Sequence, residues 1–296
     1  MDKVINKKAQ NKPLGYRLGL PAWAFSGWKN KYFTDSPSAL ASYASVFNMV
    51  EGNTTFYQTP SPDKVQYWKD QLEGKDFQIC FKLPQSVTHN ALPNFAELSE
   101  FIRRISPLQS HLGPLLLVFP ASVGPKNIDF IERILQKLPA DFKSVIEVRH
   151  QAFFDETGLN ALNPILNQYG AHRVVLDSRP LYRGDQQHPD VVQAKHEKPK
   201  VPVLPKVYNG LAFVRLVMHP HSDDNGLFIR QWAKMLSEYF AHDIKVYFSL
   251  HCPNNLYCPS FAKQFHQALL ESCAQTNQNK AGVLPEFPVP QQSTLL

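Results

Sequence analysis

Val145-Ile146-Glu147-Val148-Arg149-His150 places a carboxylate and a guanidinium two residues apart at the end of an apolar run. On a strand alternate side chains share a face, so Val145, Glu147 and Arg149 point one way and Ile146, Val148 and His150 the other. Charges are rarely buried unless they are paired or used. The pair either closes the strand as an ordinary ion pair or delivers an acid and a cation into a pocket at its C-terminal end. Similar residues end the other apolar runs: Glu51 and Asn53, Lys82, Asp177, Arg215 and His251. Each alone has a structural explanation, such as holding a loop, capping a turn or filling a barrel. One charged residue at six of eight strand ends favours a shared pocket.

Three chemistries suit this set. Glu51 and Glu147 could form a general acid–base pair tuned by the cations. Glu51, Glu147, Asp177 and His251 could ligate a divalent metal. Lys82, Arg149 and Arg215 repel a bare metal and suit an anionic group such as a phosphate or carboxylate, which Arg binds bidentately. The metal is therefore not favoured, and no cofactor is identified. Trp23, Trp28, Phe56 and Tyr57 could stack on a sugar or base, or simply anchor loops.

The elements that must position these groups read as follows. Strands are expected at Tyr16 to Leu20, Met49 to Phe56, Phe77 to Leu83, Leu115 to Phe119, residues 144–149, Arg173 to Asp177, Leu211 to Val217 and Lys245 to Leu250. Helical stripes separate them, for example Val65, Trp68 and Leu72, or Phe95, Leu98, Phe101, Ile102 and Ile105. Strand–helix alternation with short connections implies a parallel sheet with helical crossovers. Eight repeats close a (β/α)8 TIM barrel, whose chemistry sits at the C-terminal ends of its strands. An open doubly wound sheet would want a glycine-rich phosphate turn, and neither G-x-G-x-x-G nor a Walker A sequence occurs.

The pattern breaks between Arg179 and Tyr208, where prolines, lysines and histidines dominate, so a long irregular insertion is expected between strands six and seven. Residues 1–13 read as a flexible tail, 14–275 as one barrel domain and 276–296 as a proline-rich tail. The 296 residues are 43% hydrophobic with a net charge of +6, which suits a large core and mildly favours anionic partners. Cys80, Cys252, Cys258 and Cys273 form neither a zinc pattern nor a disulfide framework. No signal peptide or apolar span is evident, so a cytoplasmic setting without membrane contact is the expectation. Oligomeric state is not read from the sequence.

Several motifs resemble those of the DUF72 family of YecE-like proteins. Gly19 to Trp23, Trp28 and Tyr32-Phe33 are similar to its opening "iGtsgW…W…fYp". Glu51-Gly52-Asn53-Thr54-Thr55-Phe56-Tyr57 is similar to "vEiNsTFY", Phe81-Lys82-Leu83-Pro84 with Thr88-His89 to "FKaP…iTH", and Glu147-Val148-Arg149-His150 to "vEfRh". Asp177-Ser178-Arg179-Pro180-Leu181, Val214-Arg215 and His251-Cys252-Pro253-Asn254-Asn255 resemble one branch of the family. Gly52, Val118 and Ser249 depart from the pattern, standing where a branched residue, a Gln and an aromatic or Asn are usual. The resemblance implies a TIM barrel and a shared pocket, and supplies no reaction.

The expectation is thus an enzyme working by acid–base chemistry on a small anionic or polar, sugar- or phosphate-containing ligand. Catalytic roles fall to Glu51, Glu147, Lys82 and His251. Substrate contacts fall to Trp23, Asn53, Tyr57, His89, Arg149, Asp177 and Arg215. The alternatives are a nucleic-acid-associated protein using the basic stretch 195–200 and exposed aromatics, or a ligand binder without turnover.

Overall fold

Runs of branched and aromatic residues, apolar on both faces, become eight parallel strands in a computed structural model that describes residues 12–289. They are β1 (Arg17–Leu20), β2 (Met49–Gly52), β3 (Gln78–Phe81), β4 (Leu115–Phe119), β5 (Ser144–Val148), β6 (His172–Asp177), β7 (Leu211–Val217) and β8 (Lys245–His251). The sheet order is β3-β2-β1-β8-β7-β6-β5-β4, every pairing parallel. β3 and β4 meet through bridges at Ile79–Leu112 and Lys82–Leu116, and the Leu83 N–H donates to the Leu116 carbonyl at 3.0 Å. The sheet therefore closes on itself as a barrel.

The helices are α1 (Ala39–Tyr43), α2 (Pro62–Leu72), α3 (Gln85–Thr88), α4 (Phe95–Ile105), α5 (Ile128–Leu135), α6 (Glu156–Gln168), α7 (Pro189–Glu197), α8 (Asn225–Ala241) and α9 (Cys258–Gln275). Starts follow local chemistry. The Ser38, Ser61, Asn94 and Asp155 side chains accept from backbone N–H groups of their first turns. The expected stripe of α2, Val65, Trp68 and Leu72, is buried, as is that of α4 apart from the partly buried Phe95.

Two apolar layers result. Outward-facing strand residues such as Leu18, Val50, Ile146, Val214 and Phe248 pack against the helices. Inside the barrel, Met49, Cys80, Leu116, Val118, Val145, Val174, Phe213 and Tyr247 fill the lower part. Two residues further along β2, β5 and β7 on that inner face come Glu51, Glu147 and Arg215, and β8 contributes Ser249. The apolar floor thus ends where the charges begin.

The insertion differs from the irregular segment expected. A short 3-10 turn, Pro180–Tyr182, leads to α7. Val191 and Ala194 of α7 pack with Leu176, Leu181, Val201 and Val217, forming a hood at the C-terminal end of the barrel. Proline in the first turn and apolar residues three apart specify this helix despite its charged surroundings.

The expected N-terminal tail lies outside the described residues except for 12 and 13. Of the C-terminal tail, Ala281 and Phe287 are buried, and the Phe287 ring packs on Tyr32 with centroids 5.3 Å apart. Residues 290–296 lie outside the described part. All four cysteines are buried and free. No helix among the described residues is long and apolar enough to cross a membrane.

Candidate functional site

Inward-facing positions on four strands bring Glu51, Glu147, Arg215 and His251 together, across sequence separations of up to 200 residues. Arg215 is 3% exposed, and it lies between Glu51 and Glu147, at 0% and 1%. Its Nε and Nη2 donate to Glu51 Oε1 and Oε2, both at 2.9 Å, as a fork. Its Nη1 donates to Glu147 Oε2. Glu147 Oε1 accepts from Arg149 Nε at 2.8 Å, and His251 Nε2 lies 3.0 Å from Glu51 Oε1. Asn53 Nδ2 reaches Glu51 Oε2 at 3.4 Å and the Pro21 carbonyl at 2.9 Å. Ser249, one of the departures noted above, lies with its Oγ 3.2 Å from His251 Nε2.

Burial opposes the ionised form of both acids, and Arg215 outweighs it, helped at Glu51 by His251 and at Glu147 by Arg149. Both carboxyls are held well below the usual carboxylate range. Every carboxylate oxygen has a donor, and neither acid lines the cavity above. The acid–base pair expected from Glu51 and Glu147 is not what this arrangement supplies. They are ionised counter-charges that fix Arg215.

Above this floor is a cavity of about 630 Å³ lined by Asn53, Phe56, Tyr57, Lys82, His89, Arg149, Arg215 and His251, together with the hood residues Gln193, His196, Glu197 and Lys198. Lys82 follows the tip of β3, with its Nζ 3.6 Å from the centre of the Phe56 ring. The His89 ring stands edge-on to Phe56 at 4.9 Å, and its Nδ1 lies 2.8 Å from Thr88 Oγ1. Tyr57, 81% exposed, packs edge-on to Phe56 at the rim. Among the described residues no ion pair reaches Lys82 or Lys198.

Burial lowers the Lys82 amine to about 7, with Arg215 and Arg149 adding to the effect and Glu147 opposing it. Burial and the same two arginines lower Lys198 to about 8. His251 and His89 are both pushed down to about 4, chiefly by burial, and are neutral imidazoles at physiological pH. Two amines of the cavity, Lys82 and Lys198, are thus brought toward neutrality, whereas the two buried carboxyls beneath it are moved away from it.

Two expected substrate contacts lie elsewhere. Asp177 faces outward from β6: its Oδ2 accepts from Trp232 Nε1 of α8 at 2.8 Å, and both its oxygens accept from the Arg179 side chain. Val174 and Leu176 hold the inner face of β6, so the adjacent parity is turned outward. Trp23 packs edge-on against Trp68 of α2 at 5.5 Å and does not line the cavity. Lys198 also lines the cavity, and the composition of the basic stretch 195–200 carries no signal that singles it out from its neighbours. His150 turns from the pocket, its Nδ1 accepting from the Ala152 N–H at 3.1 Å. No cluster of metal-ligating side chains occurs among the described residues.

The sign of the Lys82 shift yields a test. Below the ordinary lysine value, about 10.4, the unfolded chain takes up a proton that the folded chain resists until pH about 7. Lys82 therefore opposes folding increasingly as the pH falls from about 10 to about 7, and fully below that. Lys82→Gln is expected to raise Tm at pH 7 and below, the gain fading toward pH about 10. Thermal melts across that range check this; a lower Tm at neutral pH would instead give Lys82 a structural role.

An all-parallel eight-stranded barrel, with charged residues converging at the carboxyl ends of its strands, is a TIM-barrel protein with a polar mouth. Within that class the chain belongs to DUF72, a protein family of unknown function whose model matches residues 17–285. It is 32% identical over 281 residues to the UPF0759 protein YecE of Escherichia coli K12, covering 94% of this chain and 98% of that one. Its fold is similar to a DUF72 protein of Enterococcus faecalis V583, with TM-score 0.64, 19% identity and coverage of 86% and 95% of the two chains. A DUF72 protein of Thermotoga maritima MSB8 gives TM-score 0.62, 20% identity and coverage of 86% and 99%.

Proposed function

We propose that this protein is an enzyme that binds a small anionic substrate at the barrel mouth and acts on it by proton transfer. The observation carrying the reading is the group of cations, Lys82, Arg149, Lys198 and Arg215, that line the cavity, which Asp190 and Glu197 of the hood also line. Both buried acids are committed to arginines beneath it, whereas Lys82, Lys198 and Arg149 line a space of about 630 Å³. A phosphate or carboxylate would complete that set, with Arg149 binding and Lys82 exchanging the proton. Asn53, His89 and His251, neutral or polar at the wall, suit the hydroxyl or carbonyl remainder of such a molecule.

Inorganic phosphate in the millimolar range is expected to raise Tm by mass action, beyond a sodium chloride control of equal ionic strength. Arg149→Gln should weaken that effect at least tenfold. Phosphate, citrate and phosphoglycolate all without effect would overturn the reading. The exposed Tyr57 beside this basic rim favours one second reading, stacking on a nucleobase. A labelled single-stranded oligonucleotide run alongside distinguishes them: tight, salt-sensitive binding lost in Tyr57→Ala would point to nucleic acid instead.

A further inference from the structure

We infer that Lys82 is a nucleophile that forms a Schiff base with an anionic aldehyde or ketone held in the mouth. The inference rests on the anion-binding reading above and adds the substrate's reactive group. Four observations carry it. Lys82 sits at the end of a barrel strand, where the chemistry of this fold is done. Its Nζ rests over the Phe56 ring, 3.6 Å from the centroid, with no carboxylate paired to it among the described residues. The acids that would ordinarily hold a lysine charged, Glu51 and Glu147, are engaged by Arg215 and Arg149. Lastly, a second amine, Lys198, enters the same cavity from the hood.

Among the cations here only an amine can shed its proton and attack carbon, because a guanidinium does not deprotonate in proteins. Burial and neighbouring cations are the two devices that free a lysine for this chemistry. Both act on Lys82, lowering it to about 7, so much of it is neutral amine at physiological pH. Lys198, at about 8, is mostly ammonium there and can give up a proton. Arg149 would hold the substrate's anionic group and so place the carbonyl.

The step balances without an oxidant or reductant. The Lys82 lone pair forms the C–N bond as the carbonyl π electrons move to oxygen, which takes a proton from Lys198. The nitrogen returns a proton to Lys198. The hydroxyl then takes that proton from Lys198 and leaves as water while the nitrogen lone pair closes the C=N bond. One amine, one carbonyl and one proton become one protonated imine and one water. The imine draws electrons from the adjacent carbon, acidifying its C–H bond or loosening its C–C bond.

Borohydride trapping tests this on the full chain. Pyridoxal 5′-phosphate, a phosphorylated aldehyde, and glyoxylate, a carboxylated one, are each added at substoichiometric level, reduced with sodium borohydride and mapped by peptide mass. Lys82 is expected to carry the reduced adduct at least tenfold ahead of exposed lysines such as Lys64 and Lys126. Inorganic phosphate should slow that labelling. Lys82→Gln and Lys82→Arg should both lose the adduct while Arg149→Gln slows it, and Lys82→Arg should keep the thermal response to phosphate. Labelling spread evenly over surface lysines, or absent from Lys82 while phosphate still raises Tm, would overturn the covalent step and leave the anion-binding reading standing. Loss of both the adduct and the phosphate response would overturn the two together.

Discussion

Arg215→Met is expected to destabilise the fold by about 3–5 kcal/mol, the usual consequence of leaving buried charges unpartnered. The side chain is buried, and its three donors hold the carboxylates of Glu51 and Glu147. A Met of similar volume restores the packing and none of the hydrogen bonds, so both acids remain in the barrel without their main counter-charge. For a chain of this size the fall in Tm is on the order of 10 °C. Arg215→Lys is not a conservative substitute, because one ammonium cannot reproduce the fork to Glu51 together with the third contact to Glu147. Adding Glu51→Gln and Glu147→Gln to the Met variant should recover part of the loss, since neutral amides are cheaper to bury than orphaned carboxylates.

The pH dependence should change sign with that substitution. In the parent chain Glu51 and Glu147 are held below their unfolded values, so their stabilisation is present above pH about 4.3 and is lost as the pH falls through the folded values. Without Arg215, burial dominates and the folded values rise above the unfolded ones. Stabilisation is then present at low pH and lost as the pH rises. The Tm gap between parent and variant should narrow between pH 7 and about pH 4. A gap that stays constant over that range would mean the carboxyls are not the groups left uncompensated.

Much of this arrangement is legible in the sequence, and the exceptions have identifiable causes. Eight apolar runs separated by helical stripes imply the barrel because a parallel strand is buried on both faces. That same property hides which face is inner. On β5 the charges reveal the phase: Glu147 and Arg149 share the pocket side. On β6, Asp177 follows an unbroken apolar run, so its outward turn toward Trp232 had no local signal. β2 ends at Gly52 and a 3-10 turn carries Asn53–Phe56, so strand alternation does not place Asn53, although its amide still reaches Glu51. Helix α7 was obscured by composition, since its two buried residues sit among lysines and histidines. The commitment of both acids to Arg215 spans 164 and 68 residues of sequence, and only the closed barrel establishes it.

Glu147 and Arg149, two residues apart on one strand, should move the titration of Lys82 in opposite directions. Glu147 favours the charged amine and Arg149 disfavours it. Glu147→Gln removes the favourable partner, so the pH at which Lys82 becomes reactive should fall. Arg149→Gln removes a repulsive one, so that pH should rise. A unit charge several ångströms away, at an effective dielectric near 20, shifts a pKa by roughly one unit. The measurement is the rate of aldehyde labelling at the Lys82 peptide as a function of pH, with the parent midpoint expected at about 7. An acid–base role for Glu147 makes a different forecast: Glu147→Gln would abolish turnover while leaving the Lys82 midpoint in place. Equal midpoints in all three proteins would show that the amine does not feel this strand. Opposed shifts would establish that the acid and the cation are set against each other to hold one lysine near neutrality.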